Sequence, residues 1–216
     1  MIDNLLKNTL LEDYGITRRS NITLTTHTVT GIFQKCDPAA CSSCKAKIAD
    51  RANCDEMVMT INAGNNNLII VEHEEYVKQF EGRKIATGGR CDLLICDDTY
   101  SNKIMFCELG CYVEKYFDQK KAKAHKQTSD SITRLLKSSS GSTFVNQFKE
   151  KELVFFRRDP AIKDSFIMPQ RGETAHNMQA FNTTPAASSA YIVSDEKINE
   201  IPVKFIIVNY PNTYNW

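Results

Sequence analysis

The chain has 216 residues, of which 42% are hydrophobic and 25% are charged, and its formal net charge is +1. This length favours a single domain over residues 1–216 with a sizeable buried core. The near-zero net charge excludes a uniformly basic surface for nucleic acid and leaves room only for a local basic patch. With no long apolar run and no signal-peptide pattern, the sequence predicts a cytoplasmic protein without a membrane partner.

The first part of the chain predicts one helix followed by several strands. Residues 2–13 carry Ile and Leu at roughly helical spacing. Residues 21–34 alternate and are rich in Thr, Ile and Val, which favours strands. Two further strands are predicted from Met57 to Asn62 and from Leu68 to Glu72. Residues 73–81 are compatible with either a helix or a strand.

A small cysteine-bearing segment, residues 36–54, interrupts these strands and has little apolar content. Because it is too polar to bury itself, a structural Zn²⁺ held by thiolates would supply the missing folding energy. The spacing between Cys41 and Cys44 suits a zinc knuckle, whereas the other spacings are irregular. An iron–sulfur cluster and a metal-free loop with free thiols are the alternatives. The four candidate ligands are Cys36, Cys41, Cys44 and Cys54.

Two apolar runs, separated by a polar turn, are each flanked by an acid. Asp92 opens the first run and Glu108 closes the second. If the runs pair as a hairpin, the two carboxylates face each other at one end of a sheet, where they would suit Mg²⁺. The alternative is that both acids are strand-end residues that are solvated or paired with Arg90 or Lys103.

A long helix is predicted over residues 112–137, which contain no Pro or Gly and carry an apolar stripe. The serine-rich run from Ser138 to Ser142 is expected to end it. A strand from Leu153 to Arg157 follows, then an irregular stretch and late strands near residues 191–193 and 203–209. The helix is rich in lysine, which predicts either a solvated face or a phosphate-binding surface. The candidate DNA-binding residues are Lys120, Lys121, Lys123 and Lys126.

The order of these central elements predicts the fold class. The order is strand, strand, long helix, strand. The helix must therefore cross over to a further strand, which gives a mixed α/β layer. Both hairpin strands are apolar on both faces, as expected of a sheet that is covered on each side. We therefore expect an α/β protein with a mixed central sheet flanked by helices and a small cysteine-bearing insertion.

The pattern over about residues 68–158 resembles the PD-(D/E)xK restriction-like nuclease superfamily. In that superfamily, the first metal-binding acid opens the second strand and a Glu-x-Lys motif closes the third. Asp92, in the run from Arg90 to Ile95, matches the first acid, and Glu108 matches the second. The following helix has an alanine, a glutamine and then an apolar turn in many bacterial members, and Gln127 matches that glutamine.

The resemblance implies a restriction-endonuclease-like core and a metal-dependent endonuclease acting on DNA, for example in host defence. Asp92 and Glu108 would hold Mg²⁺ or Mn²⁺, and Gln127 would position the water or the phosphate. Many relatives act on DNA as homodimers, so a homodimer is expected here as well. A first-helix acid, common in the superfamily, would come from Glu72, Glu74, Glu75 or Glu12.

The sequence departs from the superfamily pattern where the motif lysine is expected, because residue 110 is Gly110. Some members take this cation from the next helix, so Lys115 is the predicted catalytic lysine and Lys120 the next candidate. The alternative is a catalytically inactive module that uses the same fold to bind nucleic acid or protein. A third possibility is that the cysteine segment is the working part, as a zinc-dependent interaction module.

Overall fold

The computed structural model describes residues 1–17, 22–37, 57–160 and 190–216. Within these residues the chain forms a seven-stranded sheet, a three-stranded sheet and a set of helices. The strands are β1 (Thr26–Val29), β2 (Ile32–Cys36), β3 (Met57–Asn62), β4 (Leu68–Glu72), β5 (Leu93–Asp97), β6 (Lys103–Cys111), β7 (Glu150–Arg158), β8 (Tyr191–Ile198), β9 (Ile201–Asn209) and β10 (Tyr214–Asn215). The α-helices are α1 (Ile2–Asn4), α2 (Leu10–Asp13), α3 (His73–Lys78), α4 (Phe117–Leu136) and α5 (Ser139–Asn146).

The N-terminal helix is confirmed, with one irregularity. A π-helical stretch, Leu5–Thr9, joins α1 to α2, so the backbone is helical from Ile2 to Asp13. The strands predicted within residues 21–34 are confirmed as β1 and most of β2, and Gly31, with a positive φ of 68°, turns the chain between them. Residues 73–81, for which the sequence allowed helix or strand, begin with the short helix α3.

The large sheet is mixed, as predicted. Its strand order is β1-β4-β5-β6-β7-β9-β8. The predicted hairpin forms from β5 and β6, which are antiparallel, whereas β6 and β7 are parallel. The chain crosses from β6 to β7 through α4 and α5, so the predicted helical crossover is present.

Each face of this sheet packs against a separate apolar core. On one face, side chains such as Leu94, Phe106 and Leu153 contact α1 to α5. On the other face, side chains such as Ile95 and Met105 contact the three-stranded sheet β10-β3-β2. Among the described residues the sheet is therefore covered on both faces, as expected, with helices on one face and the three-stranded sheet on the other.

The predicted long helix is shorter at its start. Tyr112 N donates to Arg158 O at 3.0 Å, which continues the strand pairing past the end of β6. A 3-10 turn, Glu114–Tyr116, then leads into α4. The helix ends at the serine-rich run, as expected, but that run also begins a further helix. Ser138 Oγ accepts a hydrogen bond from Gly141 N and caps this next helix, α5.

Two parts of the sequence interpretation lie outside the described residues. These are Cys41, Cys44 and Cys54 of the cysteine segment and most of the irregular stretch before β8. In the ranges that the structure does describe, no helix is long and apolar enough to cross a membrane.

Candidate active site

The two acids of the hairpin meet at one end of the large sheet. Leu93 pairs with Cys107, so the register places Asp92 across from Glu108. Alternation along each strand directs both carboxyls towards the helical face, the side on which Leu94 and Phe106 lie. Asp92 Oδ2 accepts a hydrogen bond from Leu109 N at 2.7 Å, which ties the first acid to the neighbouring strand.

A cavity of about 210 Å³ opens where these strands meet α4. It takes side chains from both hairpin strands, from α3 and α4, and from the residue that follows β2. The lining residues are Asp37, Glu74, Asp92, Glu108, Leu109, Gly110, Cys111, Tyr112, Lys120, Lys123, Ala124, Gln127 and Phe155.

The electrostatics of the cavity disfavour two free carboxylates. Burial raises the pKa of Asp92 well above its ordinary range, against the hydrogen bond from Leu109 N. Burial also raises the pKa of Glu108, and the charge of Asp92 raises it further. Glu108 Oε2 is buried and accepts no hydrogen bond from any described residue. Without a cation the site therefore favours protonated carboxyls, and a bound cation would favour their ionised forms.

Helix α4 brings an amide and two cations to the acids. Gln127 Nε2 donates to Arg90 O at 2.8 Å, while its Oε1 is buried and has no partner among the described residues. Lys120 and Lys123 also line the cavity. Of the two, Lys123 is the lysine whose charge acts on Glu108, since it lowers the pKa of that carboxyl.

The structure gives a packing reason for Gly110. A Cβ atom built on this residue would lie 2.9 Å from Tyr112 Cε1 and 3.1 Å from Phe155 Cε2. The two rings are stacked with centroids 5.9 Å apart, so neither can move aside without disturbing the other. The place of the motif lysine is therefore filled by an aromatic pair.

The other predicted basic residues lie outside the cavity lining. Lys115 does not line the cavity, and its Nζ lies 4.8 Å from the centroid of the Tyr116 ring. Lys121 Nζ lies 5.9 Å from the centroid of Phe117. Lys126 Nζ is bonded to Asp130 Oδ2 at 2.6 Å. The predicted lysine cluster thus divides into two residues at the cavity and two outside its lining.

The structure also separates the candidates for the first-helix acid. Glu74 lines the cavity and pairs with Lys78 at 3.1 Å, whereas the exposed Glu75 pairs with Lys78 and does not line the cavity. Glu72 pairs instead with the buried Lys35, at 2.6 Å. Glu12 is not among the lining residues. Glu74 is therefore the candidate that the fold brings to the site.

Asp37 is a cavity residue that the sequence did not suggest. It follows β2, far from the hairpin along the chain, and its Oδ2 accepts a hydrogen bond from Cys111 N at 3.0 Å. No local pattern identifies this residue, since its place at the cavity depends on the second sheet. Tyr112 was missed for a similar reason, because its role follows from the packing of its ring against Gly110.

The donor set fits a hard divalent cation. Carboxylate and amide oxygens surround the cavity, and such oxygens are the ligands that Mg²⁺ and Mn²⁺ prefer. In the described part of the chain, no three or more His, Cys, Asp or Glu side chains lie close enough to form a ready metal-ligand group. Mg²⁺ usually keeps several waters and binds through one or two carboxylates plus phosphate, which the pair Asp92 and Glu108 can provide.

The cysteines that are described belong mostly to the core. Cys91, Cys96 and Cys107 are buried and Cys111 is partly exposed. Burial raises the pKa of the Cys91 thiol, which leaves it protonated and unreactive. Cys36, at the end of β2, is also buried. The other three candidate zinc ligands lie outside the described residues, so zinc binding by residues 36–54 stays a prediction.

No protein-family model, curated protein or solved structure matches this chain. The case for a function therefore depends on the geometry of the cavity and on the resemblance of its motif.

Proposed function

We propose that the protein is a metal-dependent nuclease that hydrolyses phosphodiester bonds in DNA with Mg²⁺ or Mn²⁺. The observation that supports this most is the pair of strand-end carboxyls, Asp92 and Glu108, in one cavity with an unsatisfied Glu108 oxygen. A structural acid pair would be expected to have partners, as buried polar groups normally do. An acid pair with an unsatisfied oxygen beside lysines is typical of a site that binds a cation and a phosphate.

The protein side chains have distinct proposed roles. Asp92 and Glu108 would hold the cation, and Glu74 would add a third carboxylate at the edge of the same cavity. Gln127 would orient the attacking water, which can donate a hydrogen bond to its free Oε1. Lys123 takes the part of the missing motif lysine, because its charge already acts on Glu108. The bound cation would polarise the phosphodiester and lower the pKa of a coordinated water.

The lysines of α4 would hold the DNA backbone. Lys120 and Lys123 line the cavity, and Lys121 and Lys126 lie on the same helix. A phosphate that contacts Lys120 and Lys123 would lie at the cavity that holds the two acids, as hydrolysis requires. The net charge of +1 limits such binding to this patch, so we expect affinity that depends strongly on salt.

The first test is cleavage of plasmid DNA with Mg²⁺ or Mn²⁺ by the wild type, Asp92→Asn and Glu108→Gln. We expect nicking by the wild type and at least about a 100-fold loss in each variant. Asp98→Asn is the matched control, because Asp98 is an exposed acid just past the other end of β5. Absence of cleavage of DNA or RNA by the wild type with either ion would reject the catalytic proposal.

A second test distinguishes the two lysines that could replace the missing motif lysine. We expect Lys123→Ala to lose about 100-fold in cleavage, the range for removing a group that assists proton transfer. Lys115→Ala should lose far less, since Lys115 does not line the cavity. The reverse order would return the catalytic role to Lys115, as the sequence alone predicted.

The second candidate function is a nucleic-acid-binding module without catalysis. Gly110 is the observation that favours it, because the motif position has no cation and no room for one. Salt-dependent DNA binding without cleavage would support this alternative. Action in host defence and as a homodimer, both suggested by the resemblance, remain proposals alongside it.

A further inference from the structure

A set of side chains on α4 holds the segment that leads into Asp92. Residues 87–92 form no regular secondary structure, so their amides and carbonyls need partners from elsewhere. Gly89 N donates to Asp130 Oδ2 at 2.6 Å, and Cys91 N donates to Ser131 Oγ at 2.9 Å. Arg134 Nη2 donates to Gly89 O at 2.7 Å. We call Asp130, Ser131 and Arg134 the clasp.

The clasp lies on the face of α4 that carries Gln127. The spacings of three, four and seven residues from Gln127 put all of these side chains on one side of the helix. Gln127 itself donates to Arg90 O, in the same segment. One helix face therefore contacts consecutive residues of the chain just before the first metal-binding acid.

Glycines make this close contact possible. A Cβ atom on Gly89 would lie 2.8 Å from Gln127 Cα, an atom of the helix backbone that cannot give way. On Gly88 it would lie 3.0 Å from Asp130 Oδ2. The Gly88-Gly89 pair is therefore a packing requirement for the clasp as well as a break before the hairpin.

A second element, α3, also holds the backbone at Asp92. Asp92 O accepts hydrogen bonds from His73 N at 2.9 Å and from Glu74 N at 3.2 Å, at the start of α3. The segment is thus fixed between α3 and α4, and the position of the Asp92 carboxyl depends on both contacts.

We propose that Asp130, supported by Ser131, is a positioning residue for the metal site. It fixes the Gly89 amide on α4 and so sets where Asp92 meets Glu108 and Gln127. This inference rests on the proposed function, since it concerns the cation that Asp92 and Glu108 would hold. Asp130 does not line the cavity, so it acts through the backbone and not by contact with the cation.

The test is Mn²⁺ affinity of the full chain without DNA, measured by electron paramagnetic resonance of the free ion. We expect Asp130→Ala to weaken binding by about ten-fold, the lower end for groups that orient metal ligands. Asp130→Asn should remain within about two-fold of the wild type, since its amide oxygen can still accept from Gly89 N. Ser131→Ala, which removes the acceptor for Cys91 N, should weaken binding as well.

A matched control separates the hydrogen bond from the ion pair. Lys126→Ala removes the bond between Lys126 and Asp130 and leaves the Gly89 contact intact. It should leave Mn²⁺ affinity within about two-fold, because exposed ion pairs contribute little. Equal weakening in Asp130→Asn and Asp130→Ala would overturn the hydrogen-bond role.

Thermal unfolding in EDTA distinguishes positioning from stability. A structural role alone would lower the melting temperature of Asp130→Ala and leave its Mn²⁺ affinity at the wild-type value, which would overturn the inference. If Asp130→Ala does not fold, Ser131→Ala decides by the same comparison. Failure of the wild type to bind Mn²⁺ would overturn the proposed function and this inference together, whereas equal binding by all variants would overturn only the inference.

Discussion

Two groups of buried charged side chains lie on opposite faces of the large sheet, and they differ in how their charges are compensated. At the start of β6, Lys103 Nζ donates to Tyr214 OH at 2.7 Å, and Tyr214 OH donates to Glu152 Oε2. Lys103 Nζ also lies 3.7 Å from Glu152 Oε1. At the cavity, by contrast, Asp92 and Glu108 repel each other, and Glu108 Oε2 has no partner among the described residues.

The difference shows which of the two groups is built for stability. The Lys103 group, consisting of Lys103, Glu152 and Tyr214, contains its own cation and satisfies its polar atoms within the fold. The acid pair is incomplete: burial raises the pKa of both carboxyls, and the charge of Asp92 raises that of Glu108 further. An incomplete group is stabilised by a ligand, whereas a complete group gains nothing from one.

The largest expected effect concerns Glu108→Gln, which should change activity and stability in opposite directions. Besides the loss of cleavage, we expect a higher urea midpoint than wild type in EDTA at pH 8. Because the folded-state pKa of Glu108 is raised, the wild type loses stability as the pH rises from about 4 through neutrality. The glutamine removes that loss, so the two proteins should agree at pH 4. If the urea midpoint of Glu108→Gln were lower than that of the wild type at pH 8, the Glu108 carboxyl could not be uncompensated in the wild type.

The second prediction removes the cation of the Lys103 group. Lys103→Met should lower the free energy of unfolding by about 3–5 kcal/mol, since it leaves Glu152 buried without its cation. Mn²⁺ affinity should stay unchanged, because this group lies on the other face of the sheet. Lys149→Met, at an exposed lysine just before β7, should change stability by less than about 0.5 kcal/mol. Urea denaturation measures the free energy of unfolding of both variants.

The third prediction tests whether the motif lysine can be restored. Gly110→Lys should cost about 1–3 kcal/mol of stability and give no gain in cleavage, because its Cβ meets Tyr112 and Phe155. The same substitution should cost less in a Tyr112→Ala background, a coupling that a double-mutant cycle of unfolding free energies measures. Equal costs in both backgrounds would argue against the packing explanation.

The smallest effect is expected for single lysines on α4. Lys120→Ala should lower the slope of log affinity against log salt by about 0.9 for duplex DNA, as for one lost phosphate contact. Fluorescence anisotropy at several salt concentrations measures this slope. Lys149→Ala should leave the slope unchanged. Lys149 lies just before the first residue of β7, whereas the cavity is lined by Phe155, farther along that strand. Equal changes in both variants would place DNA outside the α4 surface.

Local patterns in the sequence predicted the elements of the central hairpin well. The runs around Leu94 and Phe106 form buried antiparallel strands, and the acids beside them reach one cavity, as expected. The helix with Gln127 also lies at that cavity. These predictions succeeded because strand alternation and helix periodicity are local, and because strand pairing follows from a short polar turn.

Features that depend on contacts between distant segments could not be predicted. The second sheet, which covers one face and brings Asp37 to the cavity, pairs β3 with the C-terminal strand β10. The preference for Lys123 over Lys115 depends on where the helix starts, because a 3-10 turn precedes α4 and holds Lys115 outside the cavity lining.

The sequence by itself determined the strand-end acids, the crossover helix and the mixed sheet, since each is encoded by residues that are neighbours in the chain. Only the tertiary structure decided why residue 110 is glycine and which helix residues hold Asp92 in place. Both depend on the few ångströms between segments that are far apart in sequence, at Tyr112 and Phe155 in one case and at Gly89 and Asp130 in the other. Close packing fixes such distances, and no local pattern of hydrophobicity records them.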